Sequence, residues 1–165
     1  MTPGSKIQFL PHSDAVEISI KEIFMSACGS VVERAENLPE EICEDGVIIA
    51  VVSIMGDVDW SVYIGLPRDT AVAIAEAFCG FEIPFDSEDM GDAIGEVANI
   101  LAGNVKQVLD KRGVDSEISL PTVMRVDGLH VLKQRDSESS KHVYTCSLGQ
   151  FWIGVVVGKS PGLVA

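Results

Sequence analysis

The stretch from Asp92 to Arg112, DAIGEVANILAGNVKQVLDKR, constrains the fold most, because its apolar residues recur with the period of an α-helix. At about 3.6 residues per turn, Ile94, Val97, Ala98, Leu101, Val105 and Val108 fall on one arc, and Asp92, Glu96, Asn99, Gly103, Lys106 and Asp110 on the opposite one. Such a helix packs one face and shows the other. Asp92, Glu96 and Asn99 stand at i, i+4 and i+7, so two carboxylates and a side-chain amide form one stripe. Gly103 continues the stripe. A glycine inside a helix costs about 1 kcal/mol against alanine, so a second surface is expected to come close there. Taken alone, a polar stripe is more often a solvated face, and Glu-x-x-Asn is not a specific motif.

The elements around this helix read as an α+β arrangement. Ile20, Phe24, Ala27 and Val31 recur on one side of a first helix expected from Asp14 or Ala15 to about Asn37, ahead of Pro39. Val47 to Met55 and Trp60 to Leu66, rich in β-branched and aromatic residues, flank Gly56-Asp57-Val58-Asp59 as a hairpin. Pro67 precedes Arg68-Asp69-Thr70, which reads as a capping region, and a helix then runs to about Cys79, stopped by Gly80; Asp86 or Ser87 then caps the element that runs into the central helix, which Gly113 ends. Val114 to Leu120 and Thr122 to Val126 are extended, and Pro121 between them places this pair at a sheet edge or a bulge. A short strand is expected at Leu129 to Leu132, a polar surface loop from Gln134 to Lys141, and a second hairpin from Val143 to Leu148 and Phe151 to Val157 around Gly149-Gln150. The whole, residues 1–165, reads as a single domain with helices on one face of a mainly antiparallel sheet.

Charge and cysteine usage exclude several function classes. The formal net charge is −13, from 25 acidic and 12 basic residues, which argues against nucleic acid and anionic membrane as partners. The strongest apolar run, Val47 to Met55, is shorter than the roughly 20 residues a membrane helix needs. The lead-in to Pro11 lacks the apolar core of a signal peptide, so a cytoplasmic location is expected. Cys28, Cys43, Cys79 and Cys146 show no metal-ligand spacing with one another or with His12, His130 and His142, so neither a metal site nor a disulfide framework is expected. No phosphate-binding glycine loop and no nucleophile elbow is present in the sequence. A catalytic role would therefore require the substrate to supply part of the active site.

The spacing Asp92-x-x-x-Glu96-x-x-Asn99 resembles the Asp/Ser-x-x-x-Glu-x-x-Asn signature of the CheC/CheX/FliY phosphatases of bacterial chemotaxis. AIGEVANILAGNVKQVL, VDSEISLPTVM and SIMGDVDWSVYIGLPRDTAVAIAEAFCG look like CheX in the same order, so the resemblance spans most of the chain; the first residues and Asp127 to Lys141 carry no matching motif. CheC-type members carry two copies of the signature. Here Glu22 is followed three residues later by Met25 and Glu33 by Glu36, which leaves the single-site, CheX-like arrangement.

The resemblance implies a CheX-like fold and a phosphatase acting on phosphoaspartate of a CheY-like response-regulator receiver domain. The receiver would contribute the phosphorylated aspartate, a bound Mg²⁺ and a lysine, so this chain would need no cofactor of its own. Asn99, whose amide both donates and accepts, would hold the attacking water. Glu96 would pair with the receiver's lysine, and Asp92, Glu96 and Gly103 would form the partner surface. Asn104 reads as structural. The resemblance also implies a homodimer formed through strands after Gly113, with Phe151 to Val157 as an edge that would otherwise be exposed. The alternative is a non-catalytic receiver-binding or adaptor domain of the same fold, as the related FliM binds without hydrolysing.

Overall fold

The computed structural model describes residues 10–127 and 138–158. In chain order they form helix α1 (Asp14–Cys28), strand β1 (Glu33–Ala35), a 3-10 turn (Glu40–Cys43), β2 (Val47–Gly56), β3 (Asp59–Pro67), α2 (Arg68–Cys79), α3 (Glu88–Lys111), β4 (Ser116–Ile118), β5 (Thr122–Val126), β6 (Ser139–Cys146) and β7 (Gly149–Val157). All pairings are antiparallel, in the order β1-β6-β7-β3-β2, with β4 and β5 both on the outer edge of β2. This is the expected α+β architecture. Period-2 alternation sends Ile48, Ala50, Val52 and Ile54 of β2 and Trp60, Val62, Ile64 and Leu66 of β3 toward the helices, where α3 covers them with Ile94, Ala98, Leu101 and Val105. Proline at 121 breaks the ladder: β4 ends at Ile118, opposite Ile54, and β5 restarts at Thr122, opposite Val51.

A smaller cluster lies on the opposite side of the sheet, where Val47, Ile49 and Trp152 pack with Leu38, Cys43, Tyr63 and Val143. Two glycines make room for it. Gly65 faces Trp152 across the β3/β7 ladder and Gly154 faces Tyr63, and in both places the aromatic ring occupies the space a Cβ would need. A large flat side chain on one strand is thus seated over a glycine on the next.

The structure departs from the sequence expectation at several joints. The first helix stops at Cys28, because Gly29 takes the left-handed conformation (φ +60°) and the N–H groups of Gly29 and Ser30 donate to the carbonyls of Met25 and Phe24. Val31, expected on the packed side, is 60% exposed, and residues 33–35 form β1 against β6. The second hairpin turns at Ser147-Leu148. Gly149 (φ +130°) and Gln150 already belong to β7, and Thr70 donates to the Gln150 carbonyl at 2.8 Å, which ties α2 to this turn. Ser139 to Lys141, expected in a loop, open β6 opposite Val156, Val155 and Gly154. The strand expected at Leu129 to Leu132 and residues 134–137 lie outside the described residues. Phe151 to Val157 is not an edge either: β7 is hydrogen-bonded to β6 on one side and β3 on the other.

Ion pairs tie α1 to its neighbours. The Arg112 guanidinium donates two bonds, of 2.8 and 2.7 Å, to the Asp14 carboxylate, joining the start of α1 to the end of α3. Arg34 of β1 grips Glu17 in the same forked way, at 2.6 and 3.1 Å. Each arginine holds its carboxylate below the ordinary range, against a smaller opposing effect of burial.

Two outcomes follow from this packing. Gly65→Ala forces a Cβ into the Trp152 indole and should destabilise the protein by about 1–3 kcal/mol, the usual cost of overpacking, read as a lower midpoint in urea; an unchanged midpoint would show that Trp152 is not confined. Acid should weaken the α1 contacts in a defined direction. With folded pKa values below the ordinary 3.8 of Asp14 and 4.5 of Glu17, the stabilisation is complete above those ordinary values and disappears as pH falls through the lowered ones. The double variant Asp14→Asn, Glu17→Gln should therefore lose stability at pH 7 and show a shallower decline between pH 5 and pH 2 (roughly the carboxylate range) than wild type in thermal melts; parallel curves would count against the pairs.

Candidate functional site

Helix α3 begins after Ser87, whose backbone is extended (φ −83°, ψ 157°), and places Glu88 and Asp89 in its first turn at the positive end of the helix dipole. Neither Asp86 nor Ser87 caps it with a side-chain bond as expected. The Ser87 hydroxyl donates back to the Pro84 carbonyl at 2.7 Å, and Asp86 is drawn to Arg68 at 3.1 Å. The start of the helix is held from the sheet. Arg125 of β5 donates to the carbonyls of Phe85 (3.2 Å) and Ser87 (3.0 Å), and the Arg68 guanidinium lies 4.6 Å from the Phe85 ring centroid.

The far end is fixed as firmly. Lys106, expected on the outward stripe, folds down to donate to the Ser116 carbonyl of β4 at 2.6 Å and to Asp110 at 3.3 Å, and Arg112 closes onto Asp14. Between these anchors Ile94, Val97, Leu101, Val105 and Leu109 are buried. Burial of each such side chain is worth about 1.5–3 kcal/mol, far more than the cost of the glycines the helix carries. The stripe therefore sits on a rigid element.

On the outward side Asp92 and Glu96 are exposed, and Asn99 and Gly103 are half-buried. The side chains of Asp92, Glu96 and Asn99 make no hydrogen bond or ion pair with any other described residue. At Gly103 a Cβ would meet nothing within 4 Å, so the close surface expected there is not supplied by the described residues and the position stands open. Asn104 is half-buried at the margin of the packed arc. Two exposed apolar residues are not among the expected site residues. Ile100, 37% exposed, adjoins Glu96 and Gly103 by helical spacing, and Leu120, 85% exposed, stands on the β4–β5 connection. The period of the helix could have shown Ile100. Leu120 became visible only once the connection was folded beside α3.

This arrangement offers a carboxylate and an amide, one turn apart, to an incoming surface. Elsewhere in the fold the Cys28 and Cys43 thiols are pushed up by burial, away from the reactive thiolate. Among the described residues no group of three or more His, Cys, Asp or Glu side chains is placed to hold a metal ion, and no helix is long and apolar enough to cross a membrane.

Solved structures share this fold. CheX from Desulfovibrio desulfuricans superposes with a TM-score of 0.74 at 19% identity, over 90% of this chain and 100% of that one. CheX from Vibrio vulnificus gives 0.73 at 17% identity, over 88% and 95%. CheX from Borrelia burgdorferi, solved in a complex with CheY, BeF₃ and Mg²⁺, gives 0.61 at 19% identity, over 89% and 94%. No curated protein matches the sequence. The family model described as chemotaxis phosphatase CheX matches residues 48–146, a span that runs from β2 through the whole of α3 to the end of β6, and this chain belongs to the CheX family.

Proposed function

We propose that this protein accelerates hydrolysis of phosphoaspartate on a CheY-like response-regulator receiver domain in the cytoplasm, in chemotaxis or another two-component pathway. The observation that carries this reading is the pair Glu96 and Asn99, whose side chains have no partner among the described residues and stand one turn apart on a helix anchored at both ends. The Borrelia relative bound to CheY supports a receiver as the partner. In the reaction a water oxygen attacks phosphorus in line, the bond from phosphorus to the aspartyl oxygen breaks, and the aspartate leaves as a carboxylate while the water's proton passes to the phosphate or to solvent. Phosphoryl transfer of this kind asks the protein mainly for alignment and charge stabilisation.

Asn99 orients the water through its carbonyl oxygen without depending on protonation state. Glu96 pairs with the receiver's lysine, and Asp92 and Gly103 complete the contact. Mg²⁺ belongs to the receiver, and this chain binds no cofactor of its own. With a net charge of −13 the attraction has to be local, because long-range steering toward an acidic partner is unfavourable.

Asn99→Ala should lower the hydrolysis rate by about 10²-fold or more while leaving receiver affinity within roughly tenfold. Glu96→Ala should weaken binding and turnover together, with an effect that shrinks at high salt. Stopped-flow dephosphorylation beside a binding titration separates these. A wild-type protein that binds the phosphorylated receiver and leaves its lifetime unchanged would make it a binding module instead. We also propose that two copies associate. Their route is not the Phe151 to Val157 edge, and the support for association is apolar exposure on the helix-free face of the sheet, where Met55 is 49% and Met124 42% exposed. Sedimentation at micromolar concentration showing only a 17.7 kDa species would count against it.

A further inference from the structure

We propose that Leu120 is an apolar anchor for the receiver domain, docking beside the stripe and setting affinity without taking part in the chemistry. The inference rests on the receiver-phosphatase reading and adds a residue outside the Asp92, Glu96, Asn99 and Gly103 stripe. Leu120 is the most exposed large hydrophobic side chain among the described residues, at 85%. A single exposed leucine is ordinary; this one is held in place. The N–H of Ser119 donates to the Ser53 carbonyl at 2.9 Å, its hydroxyl accepts from the Ser53 N–H at 2.9 Å and donates to the Leu120 carbonyl at 3.0 Å, and Thr122 resumes the ladder opposite Val51. Proline at 121 removes further freedom. The side chain is therefore presented by a backbone that is already ordered, so little entropy is lost on docking.

Its position ties it to the stripe. Pro121 Cγ and Val123 Cγ2 approach within 3.9 and 3.6 Å of where a Cβ would stand on Gly95, so the β4–β5 connection lies against the flank of α3 at Gly95. Asn99 follows Gly95 by four residues on that flank, about 6 Å further along the axis. Across the stripe, Ile100 provides a second, partly exposed apolar shoulder. A domain seated over Glu96 and Asn99 would cover both shoulders, and water would be excluded around the polar pair. Hydrophobic burial also supplies the short-range attraction that a chain of net charge −13 cannot obtain from long-range electrostatics with an acidic partner.

The test uses the full-length protein with CheY-type receivers from the same genome, activated by beryllofluoride and Mg²⁺ for titration and by phosphorylation for turnover. Leu120→Asp should weaken binding roughly tenfold or more, the scale expected for losing a buried leucine contact, and raise KM while kcat at saturation stays within about twofold. Leu120→Ala should give a smaller shift in the same direction. Val31→Asp, at another exposed apolar position on the α1–β1 connection, should change neither quantity, and thermal melts should show all variants folded. Undiminished affinity of Leu120→Asp for a receiver that wild type binds would overturn this inference alone. A changed sedimentation coefficient with unchanged receiver affinity would assign Leu120 to self-association and overturn it too. If wild type bound no receiver, the reading of function would fail first and the anchor with it.

Discussion

Everything in this fold depends on the contact between the apolar arc of α3 and the helix-facing side of β2 and β3. Ile94, Ala98, Leu101 and Val105 meet Ile48, Ala50, Val52, Ile54, Val62 and Ile64, a helical period of about 3.6 laid on a strand period of 2. The small residues Ala98 and Ala102 let the helix axis come close, and the longer aliphatic side chains fill the space around them. Hydrophobic burial of that extent outweighs what the sequence gives up in helix propensity at Gly91, Gly95 and Gly103. Gly95 is buried at the point where β5 crosses, whereas Gly91 and Gly103 face open space.

Because packing claims one side of α3 completely, the other side is free to carry polar groups that satisfy nothing internally. Most polar side chains near a core are used up in caps, pairs and carbonyl contacts, and this protein has many such uses: Arg125, Arg68, Lys106 and Arg112 are all committed to holding the ends of α3 or the loop before it. Asp92, Glu96 and Asn99 carry no such duty toward the other described residues. Division of labour of this kind, with cations bracing the helix and the carboxylate and amide left open, suits a surface that completes its chemistry only when a partner brings the remaining groups.

The sequence disclosed the helix and its stripe because periodicity is a local property that survives without knowledge of the partner elements. Both the β2–β3 hairpin and the stop at Gly80 were legible for the same reason: turn residues and β-branched runs act over a few neighbours. The end of α1 was not legible. Val31 and Glu33 continue an acceptable helical pattern, and only the pairing of residues 33–35 with β6 makes the turn at Gly29 the better solution. Phe151 to Val157 looked like an edge because a strand's sequence does not reveal how many neighbours it has. In the fold β6 and β3 flank it, and the glycines at 65 and 154 are spent on seating Trp152 and Tyr63.

By itself, then, the sequence determined which side of α3 is apolar, where the carboxylates and the amide recur, and that an antiparallel sheet with helices on one face would bury the pattern. Tertiary structure alone decided what stands next to the stripe. Leu120 lies 21 positions after Asn99, too far for any local rule, and its neighbour Pro121 meets the flank of α3 at Gly95 where the edge strand is broken. The grip of Arg125 on the start of α3 is of the same kind, joining β5 to carbonyls some 40 residues earlier. Periodicity is set by backbone geometry within a few residues, whereas the surroundings of a site are set by which distant strands the sheet brings together.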